Sequence, residues 1–130
     1  MIVPFSKSEI SRNDIKLVSK ILESGWLTHG KYTNLFEENF KKFTSSKYAI
    51  TVSSCTAALH LSCLALGFKK GDEVIVPAMT HTATSHCVEY TGAKAVFADV
   101  DSLTGNISFK DIQKKTNKKT KGLIIVHMTG

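Results

Sequence analysis

The sequence lacks most of the features that settle a protein's class at sight. No uninterrupted apolar run in its 130 residues approaches the ~20 that a membrane-spanning helix needs. No basic stretch leads into an apolar core between Met1 and Ser11, so no secretion leader is expected. There is no G-x-x-x-x-G-K-[ST] loop and no G-x-G-x-x-G, which excludes two common glycine-rich phosphate cradles. Cysteine is sparse. Cys55, Cys63 and Cys87 are odd in number, widely spaced and set in apolar segments. Buried, reduced thiols in a cytoplasmic protein fit that pattern better than a disulfide framework. Acidic residues are also few: 11 against 17 basic ones give a formal charge of +6. That balance favours anionic ligands in general. The densest basic run, Lys114 to Lys121, has no interleaved aromatic side chain, so it reads as a solvated turn. Neither nucleic acid nor a membrane is expected as a partner.

What is present is an alternation. Ser8 to Glu23 has a helical apolar stripe of Ile10, Ile15, Leu17, Val18, Ile21 and Leu22, with Ser8 or Ser11 as cap and Gly25 as stop. Tyr32 to Phe43 predicts a second helix with Leu35, Phe36, Phe40 and Phe43 on one side. Strands are expected at Tyr48–Val52, Glu73–Pro77, Ala95–Asp99 and Leu123–His127. Helices are expected at Cys55–Leu66, Thr82–Tyr90 and Ser108–Lys114. The helix at Cys55–Leu66 is apolar on nearly every face, which predicts deep burial. Continuous apolar strands alternating with helices give an α/β fold, a mainly parallel sheet with helices on both faces. The last apolar strand has no covering helix after it before Gly130. The pattern therefore leads us to expect a domain that continues past this sequence.

Ligands of open parallel sheets bind beyond the carboxyl ends of the strands. Two such places are chemically unusual. In Val52-Ser53-Ser54-Cys55-Thr56-Ala57-Ala58 an expected strand runs into a helix through small residues bearing hydroxyl and thiol groups. Free N–H groups at a helix start suit a phosphate, with Thr56 adding a hydroxyl and Ala57 allowing close approach. Ordinary helix capping explains the same residues. In Pro77-Ala78-Met79-Thr80-His81-Thr82 a threonine-rich loop presents His81 before a helix. Its imidazole suits stacking on a planar ring, base chemistry or metal ligation. His86 lies five residues on and completes no ligand set, so no metal is expected. His86 reads as a hydrogen-bonded polar group, with Thr80 and Thr82 capping the helix. His60 and Cys63 read as core. Asp99 and Asp101 follow a strand, where a ribose or a metal is possible but a simple turn is commoner. Cys55 is a nucleophile candidate without an evident base.

Taken together, an ordered set of segments resembles one family. The set is Ser24-Gly25-Trp26-Leu27-Thr28-His29-Gly30, Phe36-Glu37, Ser53 to Leu61, Gly71 to Pro77, Gly92-Ala93 and Val96 to Asp101. It is similar to the amino-terminal part of the DegT/DnrJ/EryC1/StrS sugar aminotransferases, from about Val3 to Gly130. The resemblance implies the pyridoxal 5'-phosphate (PLP)-dependent fold type I, here an incomplete large domain over about 45–130 preceded by helices over about 8–44. It implies that Thr56 and Ala57 hold the cofactor phosphate and that His81 takes the place of the ring-stacking aromatic residue. An imidazole offers less stacking area than an indole or phenyl ring. The loop with Gly25, Trp26 and Thr28 resembles the segment that lines the substrate site. The implied reaction moves an amino group from an amino acid, glutamate in particular, to a nucleotide-linked keto sugar, in amino-sugar and surface polysaccharide biosynthesis. The Schiff-base lysine and the acid that faces the pyridine nitrogen are expected downstream, so this stretch alone is expected to be inactive, and the intact protein to be a homodimer. The alternatives from the residues themselves are a non-catalytic phosphate- or nucleotide-binding α/β module and a small thiol enzyme using Cys55.

Overall fold

The computed structural model describes residues 6–128. The chain divides into two compact units, Met1–Thr51 and Val52–Gly130.

The first unit is helical. Helix α1 spans Arg12–Glu23 and α2 spans Lys31–Thr44. Of the two candidate serines, Ser11 caps α1. Its Oγ accepts the Asp14 N–H at 3.2 Å, and its own N–H donates to Asp14 Oδ2 at 2.7 Å. This reciprocal box satisfies donors that a helix start otherwise leaves free. The Ser11 hydroxyl, then the Ser11 N–H, hold the Asp14 carboxyl below its ordinary range. Gly25 ends the helix with φ +69°, a conformation that costs a residue bearing a Cβ. The expected apolar stripes are on the helices, but no residue of α1 or α2 is buried.

The expected strand at Tyr48–Val52 does not form. A strand needs a neighbour for its backbone groups, and here a side chain supplies the partner instead. Glu37 Oε1, on α2, accepts both the N–H of Thr51 at 2.7 Å and its hydroxyl at 2.8 Å. Tyr48 and Ile50 are left exposed.

The second unit is a three-stranded parallel sheet with helices. It contains α3 (Cys55–Ala65), β1 (Glu73–Pro77), α4 (Ala83–Glu89), β2 (Lys94–Ala98), α5 (Phe109–Lys115) and β3 (Thr120–Leu123). The strand order is β2-β1-β3, with Ile75 opposite Val96 on one side and Leu123 on the other. Val74 and Val76 share one face of β1 and Ile75 takes the other, yet all three are at most 1 % exposed. A strand buried on both faces explains the unbroken apolar run Val74-Ile75-Val76. Cys63 of α3 and Cys87 and Val88 of α4 complete the core on the Val74 face, with Ala93 and Ala95. The register places β3 three residues earlier than the apolar pattern does. Pairing, not hydropathy, defines the strand: the ladder runs through Thr120, Gly122 and Leu123, and ends where the Ile124 N–H meets the Ile75 carbonyl. Helix α3 is less buried than its composition predicts. Cys63 is its one buried residue, while Leu61 and Leu64 are about half exposed. His60, expected in the core, is half-buried against the edge of the Tyr90 ring.

Glu37 gives this fold a checkable pH response. Its carboxyl is held below the usual 4.5 by the Thr51 N–H, then by the Thr51 hydroxyl. A depressed carboxyl stabilises the fold fully above its unfolded value, and that contribution fades as pH falls through the folded one. Replacing Glu37→Ala is expected to speed amide exchange at Thr51 about tenfold at neutral pH, the loss of one charge-assisted hydrogen bond. A similar loss of protection at Thr51, measured against the intrinsic exchange rate at each pH, is expected in the unmodified protein on acidification below the ordinary glutamate range. Unchanged exchange at Thr51 in the variant contradicts the role given to Glu37.

Candidate cofactor and ligand sites

The start of α3 is built as the sequence suggests, with one refinement. Ser54 is the cap, and its Oγ accepts the Ala57 N–H at 3.1 Å. The Ala58 N–H is taken by the Ser54 carbonyl. Cys55 and Thr56 remain the two first-turn amides that the helix cannot satisfy from within, and no hydrogen bond among the described residues takes them. The capping reading holds for the Ala57 amide, and the Cys55 and Thr56 amides are left without a partner among the described residues. Ser54 serves the helix, whereas Cys55, Thr56 and the Thr56 hydroxyl stay available to an anion. Ala57 is committed to the cap.

His81 stands before α4. It is exposed, and its Nδ1 accepts the Ala83 N–H at 3.1 Å. An accepting Nδ1 carries no proton, so the neutral ring holds its hydrogen on Nε2. The ring thus does the capping expected of Thr82, which makes no side-chain cap bond. The Thr80 hydroxyl instead meets that of Thr84 at 3.1 Å. His86 also differs from expectation: its ring lies tilted against Tyr90 at 5.9 Å, with no hydrogen-bond partner among the described residues.

Thr56 and His81 line one open cavity of about 510 Å³. Cys55, Leu59, Thr80 and Thr84 complete the helix and loop walls, and Ile124, Ile125 and Val126 form the wall beyond β3. The last three belong to the apolar run read as a buried strand. The available signal was positional, since chain leaving the carboxyl end of a parallel strand tends to face the ligand. Cys55 is exposed, unlike the buried thiol expected, and among the described residues no hydrogen bond joins it to His81 or another base.

In the first unit, Trp26, Thr28 and Gly30 line a cavity of about 600 Å³ with Leu27, Lys31 and Tyr32. The Trp26 indole N–H donates to the His29 carbonyl at 2.8 Å. Gly30 lets the ring lie close: a Cβ there would stand 2.6 Å from Trp26 Nε1. Gly25 shapes the loop through its positive φ but does not line the cavity.

The remaining candidates are structural. Asp101 Oδ1 accepts from the Leu103 and Thr104 amides, and Asp99 Oδ1 from the Val100 amide. Among the described residues no group of three His, Cys, Asp or Glu side chains is placed to hold a metal ion. Within the basic run, Lys115 pairs with Asp111 at 3.1 Å and Asn117 Nδ2 donates to Glu73, which builds the turn into β3.

With this geometry in view, comparison with known proteins is decisive. Residues 8–130 match the DegT/DnrJ/EryC1/StrS aminotransferase family. The chain belongs to that family. It is 40% identical over 129 residues to GDP-perosamine synthase from Vibrio cholerae, covering 98% of this chain and 35% of that protein. Its fold superposes on the aminotransferase of Psychrobacter cryohalolentis with a TM-score of 0.89 at 38% identity, over 98% of this chain and 33% of that one. It also superposes on E. coli GDP-4-keto-6-deoxy-D-mannose-3-dehydratase, solved with hydrated PLP, with a TM-score of 0.86 at 33% identity, over 94% and 33%. The fold is therefore that of the PLP-dependent sugar aminotransferases, and the chain spans about a third of the length of these relatives.

The contact between Trp26 and Gly30 is open to test. Gly30→Ala puts a methyl group inside the indole's contact distance, so the ring must swing off its bond to His29. The Trp26 indole N–H resonance is expected to shift and its solvent exchange to quicken. An unmoved resonance contradicts the packing described.

Proposed function

We propose that the intact protein is a PLP-dependent aminotransferase that transfers an amino group from glutamate to a nucleotide-linked keto sugar, in the biosynthesis of an amino sugar for a surface polysaccharide. The observation that carries this reading is the single cavity that joins the free first-turn amides of α3 to the ring of His81. Those donors fit the cofactor. Two backbone N–H groups and a hydroxyl at a helix start match a doubly charged phosphate, and a planar imidazole on the cavity wall matches a flat pyridine ring. PLP, when bound, supplies the electron sink for moving the amino group. The residues of this chain bind and orient. Cys55 and Thr56 hold the phosphate through their amides, and Thr56 adds its hydroxyl. His81 offers a ring face whose orientation is fixed by the Ala83 amide. On the substrate side, Trp26 and Thr28 line the first-unit cavity and Gly25 sets the bend of their loop.

The relatives named above support a nucleotide-linked sugar as substrate, since two carry GDP-linked sugars in their names. One of them is a dehydratase, which favours a second reading: the same cofactor site loses water from the sugar rather than aminating it. The odd number and wide spacing of the three cysteines support a cytoplasmic location. The exposed apolar residues of α1 and α2 support an assembled, homodimeric state.

The test uses the intact protein with PLP, glutamate and a GDP-linked 4-keto sugar, with products read by mass spectrometry. An aminated sugar with stoichiometric 2-oxoglutarate is expected. A dehydrated sugar selects the second reading, and failure to retain PLP overturns both. Removing the Thr56 hydroxyl in Thr56→Val is expected to raise the dissociation constant for PLP about ten- to a hundredfold, because a hydrogen bond to a charged group contributes about 1.5–3 kcal/mol. His81→Ala is expected to weaken binding similarly, and His81→Phe to restore it. Equal binding by all three variants removes both residues from the site.

A further inference from the structure

Two of the three thiols lie together in the core, away from the ligand-facing surface. Cys63 of α3 is 3% exposed and Cys87 of α4 is fully buried. Their Sγ atoms are 3.7 Å apart, with Cys63 donating to Cys87. Cys87 in turn donates to the Thr84 carbonyl at 3.2 Å. Both are free thiols, and they link neighbouring helices across the core cluster built around Val74 and Val76. Cys55 does not compete for Cys63. Eight residues along a helix place them about 12 Å apart, beyond the ~7 Å between Cα atoms that a disulfide tolerates.

We propose that Cys63 and Cys87 form an internal disulfide when the protein meets a small peroxide, clamping α3 to α4. A thiolate displaces one peroxide oxygen to give a sulfenic acid and water. The second thiol then attacks that sulfur and expels a second water, so two thiols and one hydrogen peroxide give one disulfide and two waters. From van der Waals contact the sulfurs need to close by roughly 1.7 Å to reach the ~2.05 Å bond, which side-chain rotation supplies in part. Burial, then the Cys63 thiol beside it, pushes Cys87 up to about 11, which disfavours its thiolate. Burial makes the reaction slow and dependent on local opening. The clamp joins the two helices whose first turns, at Thr56 and at Ala83 and Thr84, wall the cavity of about 510 Å³.

The experiment is peroxide treatment of the intact folded protein, alkylation of remaining thiols with iodoacetamide, digestion and mass spectrometry. A linked peptide pair containing Cys63 and Cys87 is expected. It should form faster at pH 9 than at pH 7 and be reversed by dithiothreitol. Cys63→Ser and Cys87→Ser should each abolish the linked pair. The same treatment in urea is the control for unfolding. The proposal is overturned if Cys63 and Cys87 are recovered separately, alkylated or over-oxidised, under conditions that oxidise Cys55. It is equally overturned if the link appears only in urea or joins either residue to a different cysteine.

Discussion

The burial of β1 between two parallel neighbours is the constraint on which the second unit depends. Val74, Ile75 and Val76 leave no face of the strand to solvent, and both edges are paired, to β2 and to β3. Parallel pairing forces all three strands to end on the same side of the sheet. The loop after β1 therefore delivers His81, and the chain after β3 delivers Ile124 to Val126, to one place. Helix α3 packs on α4 through Cys63 and Cys87, which sets its first turn at that same end. The cavity follows from strand direction and helix packing, not from any one glycine-rich motif.

Local capping then decides which polar groups face the cavity. Ser54 takes the Ala57 amide, and His81 takes the Ala83 amide. Each bond satisfies a helix start and, in doing so, leaves a neighbouring group free: the Thr56 amide in one case, an oriented ring in the other. The same economy appears at Glu37, where one carboxylate oxygen replaces the strand neighbour that Thr51 lacks.

Much of this was legible in the sequence because it rests on local rules. The strand Glu73–Pro77 has the predicted bounds, and helices α1 to α5 lie within a few residues of their predicted spans. That Thr56 and His81 lie at one end of the sheet, where they line one cavity, was readable because both follow expected strand ends of a parallel sheet. The errors share one physical cause, which is that pairing and burial are not local. The Tyr48–Val52 run has strand composition but no neighbour. The start of β3, Thr120-Lys121-Gly122, has polar composition but pairs with β1. Helix α3 is apolar all round, yet its cover within this chain reaches Cys63 alone as a buried residue. Which amide His81 caps, and that Ala57 is already committed, depend on side-chain rotamers that no residue pattern encodes.

The most direct test of the account is a crystal structure of the intact protein grown with PLP. The account predicts phosphate oxygens within hydrogen-bond distance of the Cys55 and Thr56 amides and the Thr56 hydroxyl. It also predicts the His81 ring lying against the pyridine face, with Nδ1 still bonded to the Ala83 amide. A phosphate bound away from the first turn of α3, or a His81 ring turned out of contact with the cofactor, would contradict it.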